Sequence, residues 1–206
     1  MKNYLNVFLF LVCAFTAQLF VSCGGGNTAS KEQQDTTNQV ASGLMSDDAM
    51  IKRGEYLVTA IGGCADCHSP KKFTAQGPVP DMDLWLSGHP ADSKLPPAQP
   101  GALKAGWLLF SPDLTAFQGP WGTSFAANLT PDTATGIGSW TESTFFTTLQ
   151  QGKYHGTPAG RDLLPPMPWQ TFKNMTEADL RAIFIYLKSI KPISNAVHAP
   201  LPPQGS

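Results

Sequence analysis

The sequence predicts a mainly α domain in which a first and a last helix frame a long, loop-rich middle. Three observations carry this. Apolar or small residues recur at three- and four-residue steps near both ends: Met50, Gly54, Leu57, Val58 and Ile61 at one, Leu180, Ile183, Phe184, Leu187 and Ile190 at the other. Between Lys71 and Asn128 no period is sustained, and prolines and glycines are frequent. The 206 residues include 19 Gly and 18 Pro but only 14% charged side chains, which suits a compact, loop-rich protein and excludes a coiled coil or a charged disordered tail. The net charge of -1 leaves no basic excess to neutralise a phosphate backbone, so nucleic acid is not expected as a partner.

The folded part does not begin at residue 1. Lys2 precedes an uncharged run from Tyr4 to Val21 that closes on Ser22-Cys23-Gly24, and residues 1–22 read as a secretory signal rather than a spanning helix. Leu19-Phe20-Val21-Ser22-Cys23 resembles a bacterial lipobox, although Phe20 stands where an aliphatic residue is usual. Such a signal is cut before a Cys whose thiol receives a diacylglycerol, which makes Cys23 the lipid attachment; the alternative is a plain signal cut elsewhere, with Cys23 a free thiol. Residues 23–46 are poor in apolar side chains and read as a flexible tether. The domain then covers 47–206, outside the cytoplasm and anchored to a bacterial membrane facing the periplasm or the cell surface.

The first helix is expected over Asp47 to Ile61, capped by Ser46 or Asp47. Gly54 costs helix stability by itself, so its inward place predicts the close approach of another helix. The last helix is framed by Thr176 with Asp179 as a capping-box variant and is stopped at Pro192. A third helix is expected from Thr141 to Gln151, with Phe145, Phe146 and Leu149 inward and Gly152 at its end. The segment 71–128 is too long for a simple loop and reads as an ordered insertion. Within it, Trp107 to Phe110 is expected as a short strand paired with Thr123 to Ala127, and Trp85, Trp107 and Trp121 as core rather than surface.

Cysteine usage narrows the chemistry. The domain holds only Cys64 and Cys67, in Cys64-Ala65-Asp66-Cys67-His68. A thioredoxin-like redox pair would follow a strand in a βαβ pattern, which is absent; a zinc site would need a second pair of ligands, and His89, His155 and His198 stand alone. As a c-type haem attachment the motif is complete. Residues three apart on one helical turn share a side, so both sulfurs reach the two vinyl groups of one porphyrin edge, and His68 follows as an iron ligand.

With Arg53-Gly54-Glu55-Tyr56-Leu57-Val58, the block from Asn128-Leu129-Thr130-Pro131-Asp132 to Thr135-Gly136-Ile137-Gly138-Ser139-Trp140, and Leu164-Pro165-Pro166-Met167-Pro168-Trp169, the chain resembles monohaem cytochromes c. It is similar in particular to the modules in cytochrome subunits of bacterial membrane-associated dehydrogenases. The resemblance implies a cytochrome c fold in which the first and last helices cross at Gly54 against an aromatic, Tyr186 or Phe184. Met167, between two prolines on a stiff loop, is read as the sixth iron ligand; Met175 is its nearest rival, and His155 would give a bis-His centre. Arg161 and Trp169 are the candidates for contact with the haem propionates.

The expected function is one-electron transfer through a single covalent haem c with His/Met ligation. It would link a dehydrogenase or quinol-oxidising complex to an acceptor, and redox proteins and the membrane would be the partners. With both axial places filled no catalytic residue is expected, so the chain reads as a carrier and not itself an enzyme. The alternatives left open are a haem enzyme or gas sensor with an open or labile sixth position, and a fixed structural subunit of a respiratory complex.

Overall fold

The structure, a computed structural model, describes residues 46–97 and 99–203. The signal, Cys23 and nearly all of the tether lie outside the described residues. The chain opens with α1 (Asp47–Tyr56), whose first turn is capped by Ser46 through its hydroxyl and carries Asp47 and Asp48 at the positive end of the helix dipole. A π-helical turn, Leu57–Ile61, continues it into α2 (Cys64–His68). That wide turn moves Ile61 off the inward stripe, since the extra residue rotates everything after it; Ile61 is exposed, contrary to its expected place, while Leu57 and Val58 are buried.

Two antiparallel sheets follow. The first pairs β1 (Lys71–Thr74) with β2 (Gly77–Pro80). After α3 (Pro100–Lys104), the second runs β3 (Leu109–Phe110), β4 (Ala116–Gly119), β5 (Gly122–Phe125), in that order. The strand expected at Trp107 to Phe110 is therefore present but pairs with β4 rather than with Thr123 to Ala127. The physical reason is loop closure: β4 and β5 join through the tight turn at Pro120-Trp121, so β4 lies beside β5 at the smallest closure cost, and the other edge of β5 is bridged at Thr123 by Leu201. Trp107 is also corrected, being 69% exposed; Trp85 instead packs against the core and donates its indole N–H to the Tyr186 hydroxyl at 3.2 Å.

The remaining frame is α4 (Glu142–Gln151), α5 (Trp169–Phe172) and α6 (Glu177–Ser189). Thr141 and Thr176 accept from backbone N–H groups as caps, and Gly152 ends α4 in the left-handed region. The core is formed mainly by α1, α4 and α6, with Met50, Leu57, Val58, Phe145, Leu149, Leu180, Ile183, Tyr186 and Leu187 buried together. The tightest approach between helices is at Gly54, where a Cβ would fall 2.0 Å from the Ala182 carbonyl oxygen and 2.6 Å from Tyr186 Cβ. Helices α1 and α6 thus cross backbone to backbone, and Tyr186, not Phe184, is the aromatic at the crossing. Among the described residues, no helix is long and apolar enough to cross a membrane.

Candidate functional site

The pentapeptide lies on α2, entered through Gly63 at φ 56°. Cys64 and Cys67 are free thiols, both half-buried. Burial pushes the Cys64 thiol up to about 11, with Cys67 and Asp66 adding to it against a backbone hydrogen bond; Cys67 is raised by burial and by Asp66. Both sulfurs are thus protonated at neutral pH, unlike the low-pKa thiols of redox pairs. The far end of α2 is held by Lys71, whose ammonium donates to the carbonyls of Ala65 at 3.1 Å, Asp66 at 3.0 Å and Ser69. This cation adds to the Ser69 N–H on Ala65 O, reaches the Asp66 and Ser69 carbonyls beyond it, and sits at the negative end of the helix dipole. Sequence reasoning missed Lys71, although a basic residue three positions past a short helical motif is the signal that points to it.

His68 is the best-defined group of the site. Its Nδ1 lies 2.7 Å from the carbonyl oxygen of Ala127, which can only accept, so Nδ1 carries the proton and Nε2 presents a lone pair. Burial holds the imidazole below its ordinary pKa, against the Ala127 hydrogen bond, so the neutral, ligating form prevails. An imidazole with its second nitrogen fixed by a carbonyl is the arrangement of metal-binding histidines. Two thiols three residues apart and a tautomer-fixed imidazole beside them fit a covalent haem.

The loop bearing Met167 comes from the other side of the chain. Pro165 accepts a hydrogen bond of 2.5 Å from the Ser124 hydroxyl, the Met167 N–H donates to Leu164 O at 3.3 Å, and the Trp169 N–H to Met167 O at 2.9 Å. Met167 is half-buried against the core. Of its rivals, Met175 is also half-buried, Met50 is buried within α1 and Met82 is 67% exposed. His155, at φ 55°, stacks on the Tyr154 ring at 4.0 Å and meets Trp140 edge-on at 5.2 Å. Arg161 is exposed, with its guanidinium 3.8 Å above the Tyr154 ring and a hydrogen bond to Asp162 O. Trp169 starts α5 and lies flat on Gly152, where a Cβ would fall 2.4 Å from its ring.

The segment from Ser124 to Thr130 braces both sides. Ser124 holds the Met167 loop and Ala127 holds His68, while Asn128 closes a polar knot: its Oδ1 accepts from the Thr130 N–H and hydroxyl, and its Nδ2 donates to Thr135 Oγ1 and Ile193 O. Asp132 accepts from the N–H groups of Ala134 and Thr135 and from the Thr135 hydroxyl, which hold its carboxyl below the usual range. The motif from Asn128 to Gly138 is thus a self-bonded loop; Ser124 carried no sequence signal, because its role exists only once β5 meets the Pro165 carbonyl.

No family model matches the chain. It is similar to a nicotinate dehydrogenase subunit of Pseudomonas putida, 32% identical over 145 residues covering 70% of this chain and 9% of that protein. It is likewise similar to the cytochrome c subunit of alcohol dehydrogenase (quinone) of Gluconacetobacter polyoxogenes, 30% identical over 150 residues, 71% of this chain and 25% of the relative. The fructose dehydrogenase cytochrome subunit of Gluconobacter japonicus is 32% identical over 157 residues, 73% and 25%. The chain thus spans about a quarter of these cytochrome subunits, and a smaller share of the first relative. Its homologues include cytochrome subunits of dehydrogenases.

Proposed function

We propose that the chain carries one covalent c-type haem and passes single electrons between a dehydrogenase or quinol-oxidising complex and an acceptor. The observation that carries this reading is the His68 imidazole, fixed by Ala127 so that Nε2 is the free ligand, directly after two half-buried free thiols on one helical turn. Cys64 and Cys67 would hold the porphyrin as thioethers, His68 would bind iron through Nε2, and Met167 would supply the sixth ligand. The haem, when bound, supplies a one-electron couple, and His with Met raises its potential relative to two imidazoles. Trp169, whose indole N–H has no protein acceptor among the described residues, would donate to a propionate, with Arg161 as the charged neighbour.

The protein's own contribution is orientation and exclusion of water. Burial keeps the imidazole neutral and the Ala127 carbonyl holds it in one tautomer; Ser124 holds the Pro165 end of the ligand loop, so little entropy is lost in fixing a weak thioether ligand. With His68 and Met167 both holding the iron, no place would be left open to dioxygen or peroxide. A lipid on Cys23 and the tether behind it would keep the domain at the outer side of a bacterial membrane and raise its effective concentration near membrane partners. The relatives' names, all subunits of dehydrogenases, favour a chain that works within such a complex.

The test is the optical spectrum of the purified mature protein, oxidised, reduced, and reduced under carbon monoxide, followed by acid-solvent extraction. Retained haem, a far-red Met-to-ferric-iron band and no carbon monoxide response are expected. Met167→Ala should lower the potential and admit carbon monoxide with the haem still attached; an unchanged spectrum and potential would remove Met167 from the iron. Cys23→Ser should release the protein from membranes, and membrane retention would overturn the anchor. Purification from membranes with a dehydrogenase at fixed ratio would establish the subunit over the mobile carrier.

A further inference from the structure

The carbonyl that fixes His68 belongs to Ala127, 59 residues further along the chain, so something must hold that peptide in place. The residue pressed against it is Gly88. At φ +82° a Cβ on Gly88 would fall 2.5 Å from Ala126 O, 2.6 Å from Ala127 C and 2.7 Å from Ala127 O, so the two backbones meet with no room for a side chain between them. The same short segment is bonded to both partners: the Gly88 N–H donates to His68 O at 2.8 Å and the His89 N–H to Ala126 O at 2.9 Å. Residues 88 and 89 therefore join the backbone of the ligand to the backbone of its acceptor.

That segment is in turn fixed from the C-terminal end of the chain. Asn195 donates through Nδ2 to Ser87 O at 2.7 Å and His89 O at 2.9 Å, and accepts at Oδ1 from the Ala91 N–H at 2.9 Å. Its own N–H is anchored on Thr135 Oγ1 at 3.0 Å. One amide thus spans three backbone groups of residues 87–91, a pattern that only Asn or Gln can supply, because both donors and an acceptor are used.

We propose that Asn195 and Gly88 are positioning residues that set the reduction potential of the haem. Asn195 clamps residues 87–91, Gly88 seats the Ala127 peptide, and the Ala127 carbonyl holds His68 Nδ1. The inference rests on the haem reading above. A strong Nδ1–H···O bond gives the imidazole more basic character and favours ferric iron; loosening it favours the reduced state, so the potential rises. Neither residue is placed at the iron, and both act through a backbone carbonyl.

The experiment compares the purified haem protein with Gly88→Ala, Asn195→Ala and the double variant, by potentiometric titration and by NMR of the 15N-labelled His68 Nδ1–H. Both single variants should shift the redox equilibrium about tenfold toward the reduced form, about 59 mV for one electron, and speed solvent exchange of the Nδ1 proton at least about tenfold. The double variant should shift no further than the larger single one, since both act through one bond. Arg181→Met, which removes the ion pair with Glu142 between α4 and α6, serves as a control that should lower stability and leave the potential unchanged. If Gly88→Ala does not fold, Asn195→Ala decides, with Asn195→Ser as the milder form. Potentials and Nδ1–H exchange equal to wild type in the folded variants would overturn the inference; absence of covalent haem in the wild-type protein would overturn the functional reading instead.

Discussion

The helical frame and the loop shell are held by different forces. In α1, α4 and α6 the buried residues are nearly all apolar, Thr148 being the exception. From Ser69 to Thr130 the buried residues are largely polar: Ser69, Ser87, His89, Ser111, Thr115, Thr123, Ser124, Asn128 and Thr130. The frame is stabilised by area removed from water and by close packing, which any apolar side chain of the right size could supply. The shell is stabilised by hydrogen bonds whose partners are fixed one by one, and losing one partner strands the other in a dry site. The site stands on both: α1 of the frame leads into the Cys64–His68 motif, and the shell aims His68 and holds the Met167 loop.

The comparison breaks most sharply at the helix crossing. Gly54→Val would drive side-chain atoms into the Ala182 backbone, where even a Cβ would sit 2.0 Å from oxygen, and should destabilise by ~4 kcal/mol or prevent folding; thermal unfolding by circular dichroism measures it. Leu180→Ala, at a fully buried position on α6, should cost about 3 kcal/mol in denaturant unfolding. A value below about 1 kcal/mol there would mean that the frame is not the main source of stability.

In the shell, Asn128→Ala strands the Thr130 N–H, takes one donor each from Thr135 Oγ1 and Ile193 O, and should cost about 2 kcal/mol. Its signature is local: amide exchange at Ile193 and Asn195 should accelerate well before global unfolding, whereas a purely apolar account predicts uniform loss. The smallest effect is expected on the surface, where Arg53→Ala removes a half-exposed ion pair with Asp179 at 2.9 Å and should change stability by less than about 1 kcal/mol.

The two regions also separate by pH. Burial opposes the charge on Asp113, yet hydrogen bonds from the Ser111 and Thr115 hydroxyls and the Thr115 N–H outweigh it and hold the carboxyl below the usual range. Its contribution is present above the ordinary carboxylate pKa of about 4 and is lost as pH falls through the lower folded value. His89, neutral by burial, adds a loss that begins as pH falls below about 6.5, since the unfolded chain binds the proton more readily. Stability should therefore fall from pH 7.5 to 5 and again below 4. In Asp113→Asn the second step should shrink, as measured by urea unfolding across pH.

The frame was legible because its information is local. Periodicity and caps placed both ends of α4 within a residue and the start of α6 at Thr176, since a cap acts within one turn, whereas α6 ends at Ser189, short of the Pro192 stop. Gly54 told of a close helix, but not whether Tyr186 or Phe184 lay across it, because that choice depends on the rotation of α6. Ile61 was misplaced by a π-helical turn, which changes the period without changing the residue types. The shell was opaque for the converse reason: the partner of β3, the exposure of Trp107 and the bonds of Lys71, Ser124 and Asn195 join residues that no periodicity relates.

By itself the sequence determined the chemistry on offer, two thiols and an imidazole at one spacing, and the helices that carry them, because helical period, caps and the motif are properties of neighbouring residues. The tertiary structure alone decided which nitrogen of His68 is free, that Ser124 and Ala127 brace the two halves of the site from one segment, and that Gly88 and Asn195 stand behind them. Those are contacts across 41 to 108 residues of chain. They exist only because the closed fold brings unrelated carbonyls and donors within hydrogen-bond distance, where leaving any of them unpaired would cost more than pairing it.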